Sequence, residues 1–183
     1  PLQATETAGY VVTVQNDGPG DDTFVLTGSP AATGWTVEYF NAATGGTNIT
    51  GAVGAGHELP LPPGGAAVVR VEVTPGAAIV RGAVLEVDIT ATSADGRNAD
   101  VAKATTVVKS PRPDALVSTA AAAGYVGDGT YNDSAAGQAA ALTVEGGSTA
   151  TYYVRAQNDG NFAEPCTIVG SVGDANWTIR YFD

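Results

Sequence analysis

The chain has 183 residues, a formal net charge of −11 and a pI near 4.2, although only 15% of its residues are charged. Such a surface repels nucleic acid and anionic membrane, and no run reaches the ~18 apolar residues of a membrane span, so neither nucleic-acid binding nor membrane insertion is expected. One histidine and one cysteine leave no material for a zinc site or a His-based nucleophile, so no catalytic residue is assigned. The sequence holds no Met, which fits a processed product or a piece of a longer chain.

In chain order, the predicted elements are strands. Tyr10, Val12 and Val14 alternate with Val11, Thr13 and Gln15, the period of two that half-buried strands show. A turn signal follows, Asn16-Asp17-Gly18-Pro19-Gly20, whose acids Asp17, Asp21 and Asp22 offer oxygen ligands at close spacing, as calcium loops do. The competing reading is turn chemistry, in which Asn and Asp bond their own main chain. Trp35, Val37 and Tyr39 alternate with Thr36, Glu38 and Phe40, which places Trp35 on the core face of a sandwich. His57 lies in a Gly-rich stretch and reads as an exposed loop residue.

Further runs follow at Val69–Thr74, Leu85–Ala91 and, more weakly, Asp100–Lys109. Around seven short strands separated by turn signals predict an all-β fold, an antiparallel β-sandwich. Lys103 and Lys109 raise the idea of an intramolecular isopeptide bond, but no Asn stands in a core-facing run to complete it. Ser110-Pro111-Arg112-Pro113 reads as a stiff joint, residues 110–113, between a first sandwich over 1–109 and a second over 114–183. In the second part, Gly127-Asp128-Gly129-Thr130-Tyr131-Asn132-Asp133 is another acidic loop, with Asp128 and Asp133 as candidate calcium ligands. Ca2+ is the one ion these loops suggest, and no organic cofactor is expected.

The chain also repeats itself. Residues 1–41 align without a gap onto residues 143–183: Gln15-Asn16-Asp17-Gly18 recurs as Gln157-Asn158-Asp159-Gly160, and Trp35-Thr36-Val37-Glu38-Tyr39-Phe40 as Trp177-Thr178-Ile179-Arg180-Tyr181-Phe182. Self-similarity of this kind marks an array built from one unit. Thr13 becomes Arg155 and Glu38 becomes Arg180, so charge changes on the face expected in solvent. Tyr152, Val154, Ala156, Trp177, Ile179 and Tyr181 keep the other face apolar, which predicts core. Cys166, the counterpart of Phe24, is expected as a small core residue. The second copy reaches only the counterpart of Asn41, so its opening strands are expected to need strands from elsewhere.

The Asn-Asp-Gly turn, Gly34-Trp35-Thr36-Val37, Leu61-Pro62-Pro63-Gly64-Gly65 before an alternating Val run, and Ala91-Thr92-Ser93-Ala94-Asp95-Gly96 resemble the immunoglobulin-like tandem repeats of large bacterial surface and secreted proteins, with CARDB-type and conserved-repeat-type modules nearest. The resemblance spans about residues 5–109 and 140–183. It implies an extracellular or cell-surface structural block, a stalk, surface layer or filament repeat whose partners are neighbouring copies of itself. The rival expectation is a non-catalytic binding module, for carbohydrate or as an adhesin, which an exposed aromatic row would favour.

Overall fold

The computed structural model describes residues 5–183, which form two compact units, one ending at Lys109 and one running Ser110–Asp183. The first unit is a sandwich of two antiparallel sheets. One sheet has the order β1-β5-β3, built from β1 (Ala8–Gln15), β3 (Trp35–Phe40) and β5 (Ala66–Pro75). The other has the order β4-β2-β6-β7, built from β2 (Asp22–Gly28), β4 (His57–Leu61), β6 (Val84–Ser93) and β7 (Ala99–Val107).

The period-two pattern explains the register. Val71 of β5 lies between Tyr10 of β1 and Tyr39 of β3, and Val73 pairs with Val37, so one face of this sheet is continuously apolar. Facing it, Leu26, Val87 and Ile89 complete a core in which Leu26, Val71, Val73 and Val87 are wholly buried. Thr74, Glu72 and Arg70 stand on the other side, where Arg70 pairs with Glu72 at 2.8 Å and lies over the Phe40 ring. A six-residue helix, α1 (Thr50–Ala55), seats Val53 in the core.

One element departs from the sequence reading. His57 is not a loop residue: it opens β4, pairs with Leu26 and is half-buried. β4 is hard to see in the sequence because it contains Pro60, which lacks a backbone donor and is tolerated here because β4 is an edge strand. Trp35 packs against the core from its rim, half-buried, while Tyr39 is the aromatic residue at its centre.

In the second unit, β8 (Pro113–Ser118) pairs antiparallel with β9 (Tyr153–Asn158), Ala115 opposite Ala156 and Val117 opposite Val154. These are its only strands among the described residues. The counterparts of β2 and β3 form no strand, and the side chains expected in a second core lie in solvent: Trp177 is 62% exposed, and Tyr152, Val154, Ala156, Ile179, Tyr181 and Cys166 are exposed as well. The physical reason is a missing surface. In the first unit Val37 and Tyr39 gain burial by pairing with β5 and facing β6, and these 183 residues hold no second copy of 42–109 to repeat that.

Candidate functional site

Two places stand out, an uncovered strand edge in the first unit and an acidic cluster in the second. The first is the outer edge of β1. Among the described residues β1 has β5 on one side and no strand on the other, and β7 is likewise an edge of the facing sheet. The Tyr10 hydroxyl ties the two edges together, donating to Thr105 O at 2.7 Å and lying 2.8 Å from Thr106 Oγ1. Farther along, the sheets leave a cavity of about 210 Å³ lined by Val12, Val14, Phe24, Leu26, Ala91 and Ala102, among others.

The second place is acidic. Carboxylate oxygens of Asp114, Asp128 and Asp159 all lie within 4.8 Å of one another. Strand β8 delivers Asp114, which is 2% exposed. Its Oδ2 accepts the Gly129 N–H at 2.8 Å, folding the Gly127–Gly129 turn over the strand, while its buried Oδ1 has no hydrogen-bond partner among the described residues. The turn is built for this approach. Gly127 and Gly129 have φ of 110° and 68°, where a side chain is strained, and a Cβ on Gly127 would press on Ala115 O. Asp128 is the exposed tip of that turn, and Asp159 follows β9, its Oδ2 accepting the Tyr131 hydroxyl at 2.5 Å. That bond, strengthened by the charge of Asp159, raises the Tyr131 pKa.

Of the sequence-derived candidates, Asp128 stands in this cluster. Asp133 does not: it is exposed beside a turn in which Asn132 Oδ1 accepts the Ser134 N–H. Asp17 accepts a hydrogen bond from Gln15 Nε2 at 2.9 Å, Asp22 Oδ1 caps the Thr23 N–H at 2.7 Å, and Asp21 is exposed. The turn there is organised by Asn16, whose Oδ1 accepts the Gly18 N–H. Sequence reasoning does not single out Asp114 and Asp159. Asp159 carries a signal, since it is the counterpart of Asp17; Asp114 carries a weaker one, an acid inside an otherwise apolar strand run.

The remaining candidates have ordinary surroundings. Lys103 bonds Glu86 at 2.7 Å and lies 3.8 Å from Asp88, which raises its pKa, and Lys109 pairs with Glu6 at 3.1 Å. No protein-family model matches the chain, and no curated protein is similar to it.

Proposed function

We propose that this chain is a structural repeat of an extracellular bacterial protein, a stalk, surface-layer or filament block, whose immunoglobulin-like units are completed by strands from the adjoining repeat. One observation carries the reading. β9 is the sequence copy of β1, and β8 lies on that edge of β9 whose equivalent on β1 is uncovered. Transferring the pairing of β8 with β9 onto β1 sets a Pro113-type strand with its Ala115 position opposite Val14 and its Val117 position opposite Val12. Those are the residues that line the cavity. A strand laid there would continue the sheet and cover the opening of the cavity.

The strand order supports the immunoglobulin-like part of the proposal. β1-β5-β3 follows the B, E and D strands of such a domain, and β2-β6-β7 follows C, F and G, so β8 on β9 corresponds to A on B. β4 is an addition to that plan.

The exposed aromatics do not favour a carbohydrate platform over tiling. Tyr152, Trp177, Tyr181 and Phe182 are the copies of Tyr10, Trp35, Tyr39 and Phe40, all buried or half-buried in the first unit. Tyr10, Trp35 and Tyr39 pack in or against the first core, so three of the four copies are core-type residues without a cover, while Phe40 lies on the outer face under Arg70.

The test uses the repeat's own register. A second copy of residues 110–142 is fused in front of Pro1, which reproduces the junction between residues 142 and 143. The expected result is a higher melting temperature for the first sandwich and new hydrogen-exchange protection along β1. Unchanged β1 exchange and melting would sink the tiling reading, and binding in a glycan array that is lost on Trp177→Ala would favour the carbohydrate module.

A further inference from the structure

We infer that Asp114, Asp128 and Asp159 form a Ca2+ site that fastens the segment following β8, residues 119–141, to the β8–β9 pair. The inference stands on the second unit alone and does not depend on tiling.

Three carboxylates would bring three negative charges into one small volume, and one of them is almost completely buried on a strand. A buried carboxylate is retained when it is paired, fully hydrogen-bonded or bound to a metal. Asp114 is only half satisfied: Gly129 takes Oδ2, and nothing among the described residues takes Oδ1. The contrast with Asp88 is informative. Asp88 Oδ1 also lacks a hydrogen bond, but the Lys103 ammonium is 3.8 Å from it. None of the three clustered acids has such an ion pair among the described residues; the nearby Arg112 guanidinium instead stacks on the Tyr131 ring, 4.1 Å from its centroid.

The protein's own hydrogen bonds leave room for a ligand atom on each acid. Tyr131 engages Asp159 Oδ2, and Gln157 Nε2 reaches Asp128 Oδ1 at a long 3.5 Å. Hard oxygen donors select a hard cation, and Ca2+ holds its oxygens at about 2.3–2.6 Å, so oxygens mutually within 4.8 Å can share one ion. Asp128 and Asp159 are exposed, which gives the ion a route in and lets water complete its shell.

The consequence is mechanical. Asp114 belongs to β8, Asp128 to the turn above it and Asp159 to the end of β9, so one ion would tie three segments that are far apart in sequence. The segment's other anchors include the Val117–Val126 bridge, the Ser118 hydroxyl donating to Ala123 O at 2.6 Å, Gln138 Nε2 reaching Ala115 O, and the Arg155 guanidinium over the Tyr125 ring.

The experiment is a titration of the full chain with CaCl2 after chelator treatment, followed by calorimetry and by Tb3+ luminescence sensitised through Tyr131. Saturable binding of one ion is expected, with a dissociation constant in the range of about 0.1–1 mM that extracellular modules show. A shift of the Gly127 and Gly129 amide resonances should accompany it. Asp128→Asn and Asp159→Asn, both at exposed positions, should each weaken binding by about tenfold or more through loss of a charged ligand. Asp21→Asn with Asp22→Asn should leave it unchanged. Asp114→Asn is the stronger change but risks the fold, so the two exposed variants decide. No saturable binding at 5 mM CaCl2 (a concentration above about 1 mM, the weak end of such sites) would overturn the inference. So would binding that ignores Asp128 and Asp159, or that follows Asp21 and Asp22, since either outcome reports diffuse attraction to an acidic surface or a different loop.

Discussion

Asn16 and Asn158 hold the same place in the two copies and make the same local bonds. Each side-chain oxygen accepts the N–H two residues on, from Gly18 or Gly160, and each Nδ2 donates to a carbonyl four residues on, at Gly20 or Phe162, both at 2.8 Å. Only Asn16 is buried, at 2% exposure, and only it donates a second bond, to Leu61 O at 2.9 Å across to β4. Asn16→Ala strands buried partners and should cost about 1–3 kcal/mol, whereas Asn158→Ala, at an exposed turn, should cost under about 1 kcal/mol. Chemical denaturation of the two variants checks this, and equal losses would show that the Leu61 bond contributes nothing. Gly28 is a second pointed case. A Cβ there would collide with the Tyr39 ring, and the same close approach recurs between Gly170 and Tyr181. Gly28→Ala must therefore push Tyr39 out of the core, at about 1–3 kcal/mol by the usual cost of overpacking, and a lowered melting midpoint is the readout.

At the scale of elements, turns are more transferable than strands. The Asn-Asp-Gly turn and the glycine–tyrosine contact persist in the second copy although no strand forms around Trp177, because both are made within a short stretch of chain. Strands are different. The Val69–Thr74 and Leu85–Ala91 alternations are plain in the sequence and become β5 and β6, each lengthened by a neighbour on both sides. The alternation of Trp177, Ile179 and Tyr181 is just as plain and forms no strand, since period-two patterning specifies a face without supplying the partner. The acidic centre is half legible for a similar reason: Asp128 sits in a visible loop, but Asp114 and Asp159 meet it only through the β8–β9 register. The β6–β7 hairpin carries its own pH signature. The Ser93 hydroxyl and, next, the Arg97 N–H donate to Asp95 and hold its carboxyl below the ordinary range. A carboxyl lowered in the folded state stabilises it above the unfolded value, and that contribution disappears as pH falls through the lowered one. The melting difference between the wild type and Asp95→Asn should therefore be full at neutral pH and shrink in acid below the usual carboxylate range. A difference that stays constant as the pH is taken well below that range would remove the charge of Asp95 from the account.

At the scale of the whole chain, the two units show one sequence pattern with and without its cover. In the first, β3 pairs with β5 across its whole length, and the core beneath it is continuous. In the second, the copy of β3 has no counterpart of β5 in these 183 residues, and Trp177, Tyr181 and Phe182 face water. If the pattern is sound and only the partner is missing, supplying the partner should fold it. Asp183 is the counterpart of Asn41, so a second copy of residues 42–109 appended after Asp183 continues the unit in its natural order. The extended chain also carries Trp35→Phe, which leaves Trp177 as the sole tryptophan. Its emission should move to shorter wavelength on extension, as an indole leaving water does, and a second cooperative unfolding transition should appear. Hydrogen exchange gives an independent reading: amides at positions 177–182 should pass from fast exchange to the protection expected of Val37 and Tyr39 in the first unit. A Trp177 that keeps the emission of a solvated indole in the extended chain would mean that the substitutions between the copies, Glu38 to Arg180 and Phe24 to Cys166 among them, have changed what the second copy can pair with.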